Sequence, residues 1–386
     1  MPKLDAAQAA HARAVLEALR ASIAKRGGWI GFDEYLELVL YAPGLGYYSA
    51  GAAKFGAAGD FVTAPELSPL FGACVARACA PMLDGGGELL ELGAGSGALA
   101  ESLLLRLAQL DALPSRYSIL EVSADLRERQ RSRLESLPPA LRARLHWLDE
   151  LPSRPLRGVI LANEVADALP FQCFAVNDSG YAECGVALDA EALPTWNERV
   201  ADADLHAQLD ALAAALPATL APGFHGELCT RLEPWIAGLA GALDEGAILL
   251  FDYGLGRSEL YHSQRDAGTL RCHYCHRAHD DPFLHPGLQD ITAWVDFTRI
   301  AEAASSAKLR VAGYCTQAAF LLGAGIEAEL TRGADALTRA RGASEARQLL
   351  LPGEMGETFK AMLLTRGNIA AASLAAFSVQ DLRRLL

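Results

Sequence analysis

Residues 87–97 read GELLELGAGSG. Leu89, Leu90 and Leu92 make a short apolar strand, and Gly93, Gly95 and Gly97 make the turn that follows it. Such a turn lets a ligand approach the backbone and aims N–H groups at it from the start of the next helix. Two chemistries use it. A dinucleotide-binding fold needs G-x-G-x-x-G/A, and Ala98 completes that spacing. A methyltransferase fold needs an acid two positions before G-x-G-x-G. Glu91 supplies it, placed for the cationic methionyl end of S-adenosylmethionine (SAM). The glycines could instead serve only close helix–sheet packing, but an acid, three glycines and a second-strand acid occurring together favour a ligand.

Outward from the loop, strands and helices alternate. Leu99, Leu103, Leu107 and Leu110 form one helical face. YSILEVS (117–123) is a second strand, with Ser123 placed to cap the next helix; ARLHWLD (143–149) is a third and RGVILANE (157–164) a fourth. GAILLFDYG (246–254), a strand near 309–315 and TFKAMLLTR (358–366) complete the series. Nearly continuous apolar strands separated by helices imply an α/β, doubly wound, mostly parallel sheet covered on both faces. Ahead of it, Phe32, Tyr35, Leu36, Val39 and Leu40 are spaced as a helix, and FQCFAVNDSGYAECGVAL (171–188) reads as a hairpin about Asn177–Gly180. The expected organisation is an N-terminal helical cap and cofactor-roofing loop over 1–84, then a core over 85–366. That core carries insertions at about 171–225 and 255–296, and a C-terminal helical tail occupies 367–386.

In open α/β sheets ligands sit at the carboxyl ends of the strands. The second strand ends in Glu121, which can accept hydrogen bonds from ribose hydroxyls. Asp149, after the third, is a candidate partner for the adenine amino group or simply a solvated loop acid. The fourth runs into Asn163-Glu164-Val165-Ala166-Asp167. Two carboxylates and an amide there can hold a nucleophilic nitrogen, orient its lone pair and offset its charge. The bland alternative is that Asn163 or Asp167 caps a following helix.

The chain has 386 residues and a formal charge of −13, with half its residues apolar. That supports a large packed core and weighs against a nucleic-acid binder or a surface drawn to anionic membranes. No run of about 18 apolar residues marks a membrane span. The opening MPKLDAAQAAHARAVLEALRASIAKR is a mixed-charge amphipathic helix without the apolar block of a secretory signal, and a cytoplasmic location is expected.

Several passages, taken in order, resemble a known family: the SAM-dependent protein arginine methyltransferases that assist assembly of mitochondrial complex I, and their bacterial relatives. The passages are Pro43-Gly44-Leu45-Gly46-Tyr47-Tyr48, Gly59-Asp60-Phe61-Val62-Thr63-Ala64-Pro65-Glu66-Leu67-Ser68, the 91–97 loop, Ala162 to Pro170, Asp252-Tyr253-Gly254, Asp290-Ile291-Thr292 with Val295-Asp296-Phe297, and Met355-Gly356-Glu357. The resemblance implies a class I methyltransferase fold, SAM as cofactor, and methyl transfer to an arginine of a protein, in mitochondria a complex I subunit. It departs at Val165 and Ala166, where the family usually has two aromatics. The site expected on these grounds has Glu91, Gly93, Gly95, Gly97, Glu121 and Asp149 holding the cofactor, roofed by Gly59, Asp60, Thr63 and Pro65. Glu164 is the main acceptor-side carboxylate, with Asn163 positioning and Asp167 assisting. The rival to an enzyme is a methyltransferase-like assembly chaperone that binds SAM and a partner without efficient turnover; a nicotinamide dehydrogenase is a third reading.

Residues 255–296 read as a long irregular insertion, rich in His, Gly, Pro and Asp. Within it Cys272-His273-Tyr274-Cys275-His276 matches C-x-x-C-H, the attachment motif of c-type haem. Haem attachment needs export, a zinc site needs a second ligand pair, and a redox pair wants a thioredoxin-like context. The expectation is a substrate-side lid, with no metal.

Overall fold

The computed structural model describes residues 4–49, 63–332 and 336–386. The chain divides into two compact units, one of Val62–Ala166, Glu233–Gly254 and Phe297–Leu386, the other of Met1–Phe61, Asp167–Leu232 and Leu255–Asp296.

The first unit is built on seven strands: β1 (Glu88–Leu92), β2 (Tyr117–Leu120), β3 (Leu145–Leu148), β4 (Leu156–Asn163), β5 (Leu243–Leu255), β6 (Arg310–Thr316) and β7 (Phe359–Arg366). Their order across the sheet is β6-β7-β5-β4-β1-β2-β3. β1 to β5 run parallel to one another, and β7 lies antiparallel between β5 and β6. That reversed strand departs from the dinucleotide-binding sheet, whose six strands follow the order 3-2-1-4-5-6. The central strands β1, β4 and β5 are largely buried, and on one face Leu89, Val159, Leu161, Leu249 and Phe251 pack with Phe71, Leu103, Leu107 and Phe320 in one core. Three helices matter for the site, α1 (Pro69–Leu83), α2 (Ala98–Gln109) and α3 (Ala124–Leu134). Ser123 caps α3 as its sequence position implies, its Oγ accepting from Leu126 N at 3.4 Å.

The second unit opens with a helix, Ala6–Lys25, started by a capping box between Asp5 and Gln8. Phe32–Leu36 is helical as its spacing predicts and continues as a π-turn, Glu37–Tyr41. These helices pack on an antiparallel sheet containing the 171–188 hairpin, which closes at Asn177 opposite Gly180. A strand at Pro194–Val200 pairs with Gly180–Leu188. It escapes the sequence reading because it is an edge strand, mostly exposed, whose apolar side, Pro194, Trp196 and Val200, is broken by Glu198.

The irregular reading of 255–296 also needs correction. Arg271–Tyr274 is the centre of a three-stranded sheet, flanked by Arg277–His279 and Asp290–Thr292. Cys275 and His276 form the two-residue turn, with φ of 50° and 60°. Both angles are left-handed, as a type I′ hairpin requires, but Asn-Gly rather than Cys-His is its usual signal. The C-x-x-C-H motif is therefore a hairpin: Cys272 is buried opposite His279, and Cys275 is exposed in the turn. Among the described residues no three His, Cys, Asp or Glu are grouped to hold a metal. Burial pushes the Cys272 thiol up, with Asp290 adding to it. Iodoacetamide at neutral pH should therefore label Cys275 in the folded protein and Cys272 only after unfolding. Peptide mapping by mass spectrometry checks this, and equal labelling of both would contradict the hairpin. No helix among the described residues is long and apolar enough to cross a membrane.

Candidate active site

The glycine loop takes the conformation its composition suggests. Gly93, Gly95 and Gly97 have φ of 58°, 55° and 86°, a left-handed region costly for any residue with a Cβ. Gly97 is the N-cap of α2, so the loop ends at a helix N-terminus as ligand-binding glycine turns do. At its entrance Glu91 is buried, and its Oε2 accepts a 2.7 Å hydrogen bond from the Tyr117 hydroxyl. Burial raises the Glu91 carboxyl to about 7, against the lowering effect of that bond. At the end of β2, Glu121 is also buried; Oε1 accepts from Ser123 N at 2.9 Å and Oε2 from Gln130 Nε2 at 3.0 Å. Burial raises Glu121, and these donors work against the rise. Two buried carboxylates flanking an open glycine turn fit a ligand with a cationic end and a diol.

Thr63 and Pro65 stand at the start of a short helix, Ala64–Leu67. Glu66 of that helix is hydrogen-bonded to Ser96 Oγ in the glycine loop, and Arg133 of α3 donates to the same Ser96 Oγ at 3.0 Å and to Glu101 at 2.8 Å. The segment carrying Thr63 and Pro65 is thus tied to the loop. Gly59 and Asp60 lie outside the described residues. Asp149 is 88 % exposed and pairs with Arg127 at 2.7 Å, as a solvated loop acid would.

Asn163 ends β4, and Glu164 follows with φ of 55°, an unusual angle for a residue with a side chain. Its N–H still donates to Phe251 O at 2.8 Å, and Asn163 Nδ2 donates to Glu164 Oε1 at 3.1 Å. Asp252, buried at the matching position of β5, holds the next turn: Oδ2 accepts from Ala166 N and Oδ1 from Tyr253 N, each at 2.9 Å. The chain then turns through 164–170 without entering a helix, so the helix-cap account of Asn163 and Asp167 does not hold. Asp167 is counted with the second unit. Within that unit its charge raises the Tyr41 and Tyr48 phenols, after burial and Asp290. Tyr48 donates to Asp290 Oδ1 at 2.6 Å, Tyr41 to Ala168 O at 2.5 Å, and the two rings lie 5.4 Å apart.

Sequence reasoning passed over Gln130, Glu66, Arg133 and Tyr117. One of them left a signal. The buried stripe of α3 is Leu126, Gln130 and Leu134 at a spacing of four, in a helix otherwise dominated by charge. A glutamine inside an apolar stripe marks a committed amide.

Comparison with known proteins agrees with this geometry. Residues 74–315 match the family model of S-adenosyl-L-methionine-dependent methyltransferases. The chain is 42% identical to a Burkholderia thailandensis protein whose crystal structure holds S-adenosyl-homocysteine (SAH); the match covers 100% of both chains with a TM-score of 0.94. It is 29% identical to the zebrafish (Danio rerio) protein named protein arginine methyltransferase NDUFAF7, mitochondrial, over 90% of this chain and 86% of that one. The human protein of the same name is also 29% identical, over 87% and 80%. The NDUFAF7 names overturn the cytoplasmic expectation: these relatives are named mitochondrial, and an N-terminal amphipathic helix is no argument against an organelle.

Proposed function

The chain belongs to the family of SAM-dependent methyltransferases, and from that premise we propose that it methylates an arginine guanidinium of a protein, with a respiratory complex I subunit as the first acceptor to examine. The observation that carries the reading is Glu164. Its carboxylate is held by Asn163 at the carboxyl end of β4, the strand beside the one that feeds the glycine loop. A carboxylate there can grip a guanidinium through two parallel charge-assisted hydrogen bonds and fix the plane of the attacking nitrogen. Asn163 positions it, and Asp167, three residues along, assists. The names of the mitochondrial relatives support arginine as the acceptor.

Glu91, Gly93, Gly95, Gly97 and Glu121 would hold SAM, with Thr63 and Pro65 beside it. The bound cofactor supplies an activated methyl group on a sulfonium. The protein's part is to align donor and acceptor, exclude water, and ease loss of a proton from a group whose pKa exceeds 12. Incubating the purified protein with methyl-labelled SAM and a cell extract, then mapping the label by mass spectrometry, tests the reading. Methylarginine in one or a few proteins is the expected result. Label on another residue type, or SAM binding without any transfer, would overturn it; the second outcome is that of a SAM-binding assembly chaperone.

A pH dependence follows from Glu91. Only its carboxylate can pair with the ammonium of the cofactor, and burial sets the carboxyl near 7. SAH affinity should therefore weaken as pH falls below about 7, by up to about tenfold per unit. Glu91→Gln should bind weakly and lose most of that slope. Calorimetry at three pH values is sufficient, and a flat wild-type profile would refute the assignment.

A further inference from the structure

Gln130 is fully buried in the stripe of α3 that faces the sheet. An amide moved from water costs free energy unless every polar atom is satisfied, and a leucine or methionine would fill the same space without that burden. Here the amide is fully committed. Its Nε2 donates to the carbonyl of Gly95, the middle glycine of the loop, at 3.0 Å. The same nitrogen donates to Glu121 Oε2 at 3.0 Å. Its oxygen accepts from the indole Nε1 of Trp147, on β3, at 2.9 Å. The indole can only donate, so it fixes which end of the amide faces the oxygen and which faces the loop. With the amide so oriented, its two N–H groups meet the two acceptors they need. Ser123 N holds the other oxygen of Glu121, so the carboxylate plane is fixed from both sides. One side chain thereby joins the glycine turn to the acid at the end of the adjacent strand.

We propose that Gln130, oriented by Trp147, is a positioning residue that locks the glycine loop and the Glu121 carboxylate into the relative geometry that receives the ribose of the cofactor. It touches neither the cofactor nor the acceptor, and acts through Gly95 and Glu121. The proposal rests on the reading of Glu121 as the ribose-binding acid.

The test is calorimetric titration of SAH and of its 2′-deoxyribose analogue into wild type, Gln130→Met, Trp147→Phe and Glu121→Gln, with a melting temperature for each. Wild type should prefer SAH over the analogue, and Glu121→Gln should lose that preference. Gln130→Met should weaken SAH binding by about 10- to 100-fold, the scale of a lost hydrogen bond to a charged group. It should weaken the analogue much less, so the preference collapses. Trp147→Phe leaves Gln130 in place without its orienting donor and should move the preference the same way by a smaller factor. A purely structural role would weaken both ligands alike and leave the ratio at its wild-type value. A folded Gln130→Met with that ratio intact overturns the proposal. If Gln130→Met does not fold, an unchanged ratio in Trp147→Phe overturns it equally. A wild type that does not discriminate removes the Glu121 reading and this proposal with it. Discrimination that depends on Glu121 but not on Gln130 removes the proposal alone.

Discussion

Glu164→Gln should slow methyl transfer about a hundredfold or more while leaving SAH affinity within a few-fold of wild type. The size is that of a lost electrostatic or acid–base contribution. The substitution keeps the length of the side chain and an oxygen for Asn163 Nδ2 to donate to. It keeps the backbone bond from residue 164 to Phe251 O, and it asks nothing new of a backbone already at φ 55°. What it removes is the charge and one of the two acceptors that a guanidinium would use. An arginine must lose a proton as it takes up a methyl group, and a neutral amide neither offsets the cation nor helps that proton leave. A residue that merely shapes the end of β4 predicts the opposite: an altered melting temperature and a normal rate in the folded fraction. Single-turnover transfer from methyl-labelled SAM to the acceptor found by extract labelling, measured beside the melting temperature, separates the two. A wild-type rate in a folded Glu164→Gln would remove Glu164 from the chemistry.

The core was legible because its central strands are buried along most of their length and therefore read as apolar runs. Leu89-Leu90, Val159-Ile160-Leu161 and Ile248-Leu249-Leu250 are recognisable without any structure, and each lies in the parallel part of the sheet. Glu91 and Glu121 were legible for a related reason: each is a buried acid beside the apolar run of its strand, where a charge is expensive to bury unless it serves something. Elements whose signal is local chemistry rather than burial were lost. The exposed strand Pro194–Val200 has an apolar face too short and too broken by Glu198 to stand out, and the turn at Cys275-His276 adopts left-handed angles without the residues that usually announce them. The alternative of a helix capped by Asn163 or Asp167 fails because the chain's hydrogen bonds there go elsewhere, with Ala166 N held by Asp252 of β5. Such a long-range partner has no footprint in the local pattern. Gln130 stands between these cases. Its place in the stripe with Leu126 and Leu134 was visible, but its three partners come from the loop, β2 and β3, and only the fold brings them together.

Gly95→Val should abolish measurable SAH binding, a loss of more than about 100-fold, in a protein that still folds. Two costs add. The backbone at Gly95 has φ of 55°, and an L-residue pays about 1–2 kcal/mol to stay there, a β-branched one more than alanine. Relieving that strain means rotating the peptide, which moves the carbonyl that Gln130 holds at 3.0 Å and, through Gln130, disturbs Glu121. The branched side chain also occupies the face of the turn where a ligand must meet the backbone. Gly95→Ala separates the two costs, because it carries the conformational penalty with little of the bulk; its affinity should fall between those of wild type and Gly95→Val. The fold should survive, since the strain is confined to one loop and the core of β1, α1 and α2 does not depend on it. Calorimetry with SAH, together with melting temperatures of the three proteins, gives the answer. Undiminished SAH affinity in a folded Gly95→Val would mean that the cofactor does not lie on this loop, and the assignments of Glu91 and Glu121 would fall with it.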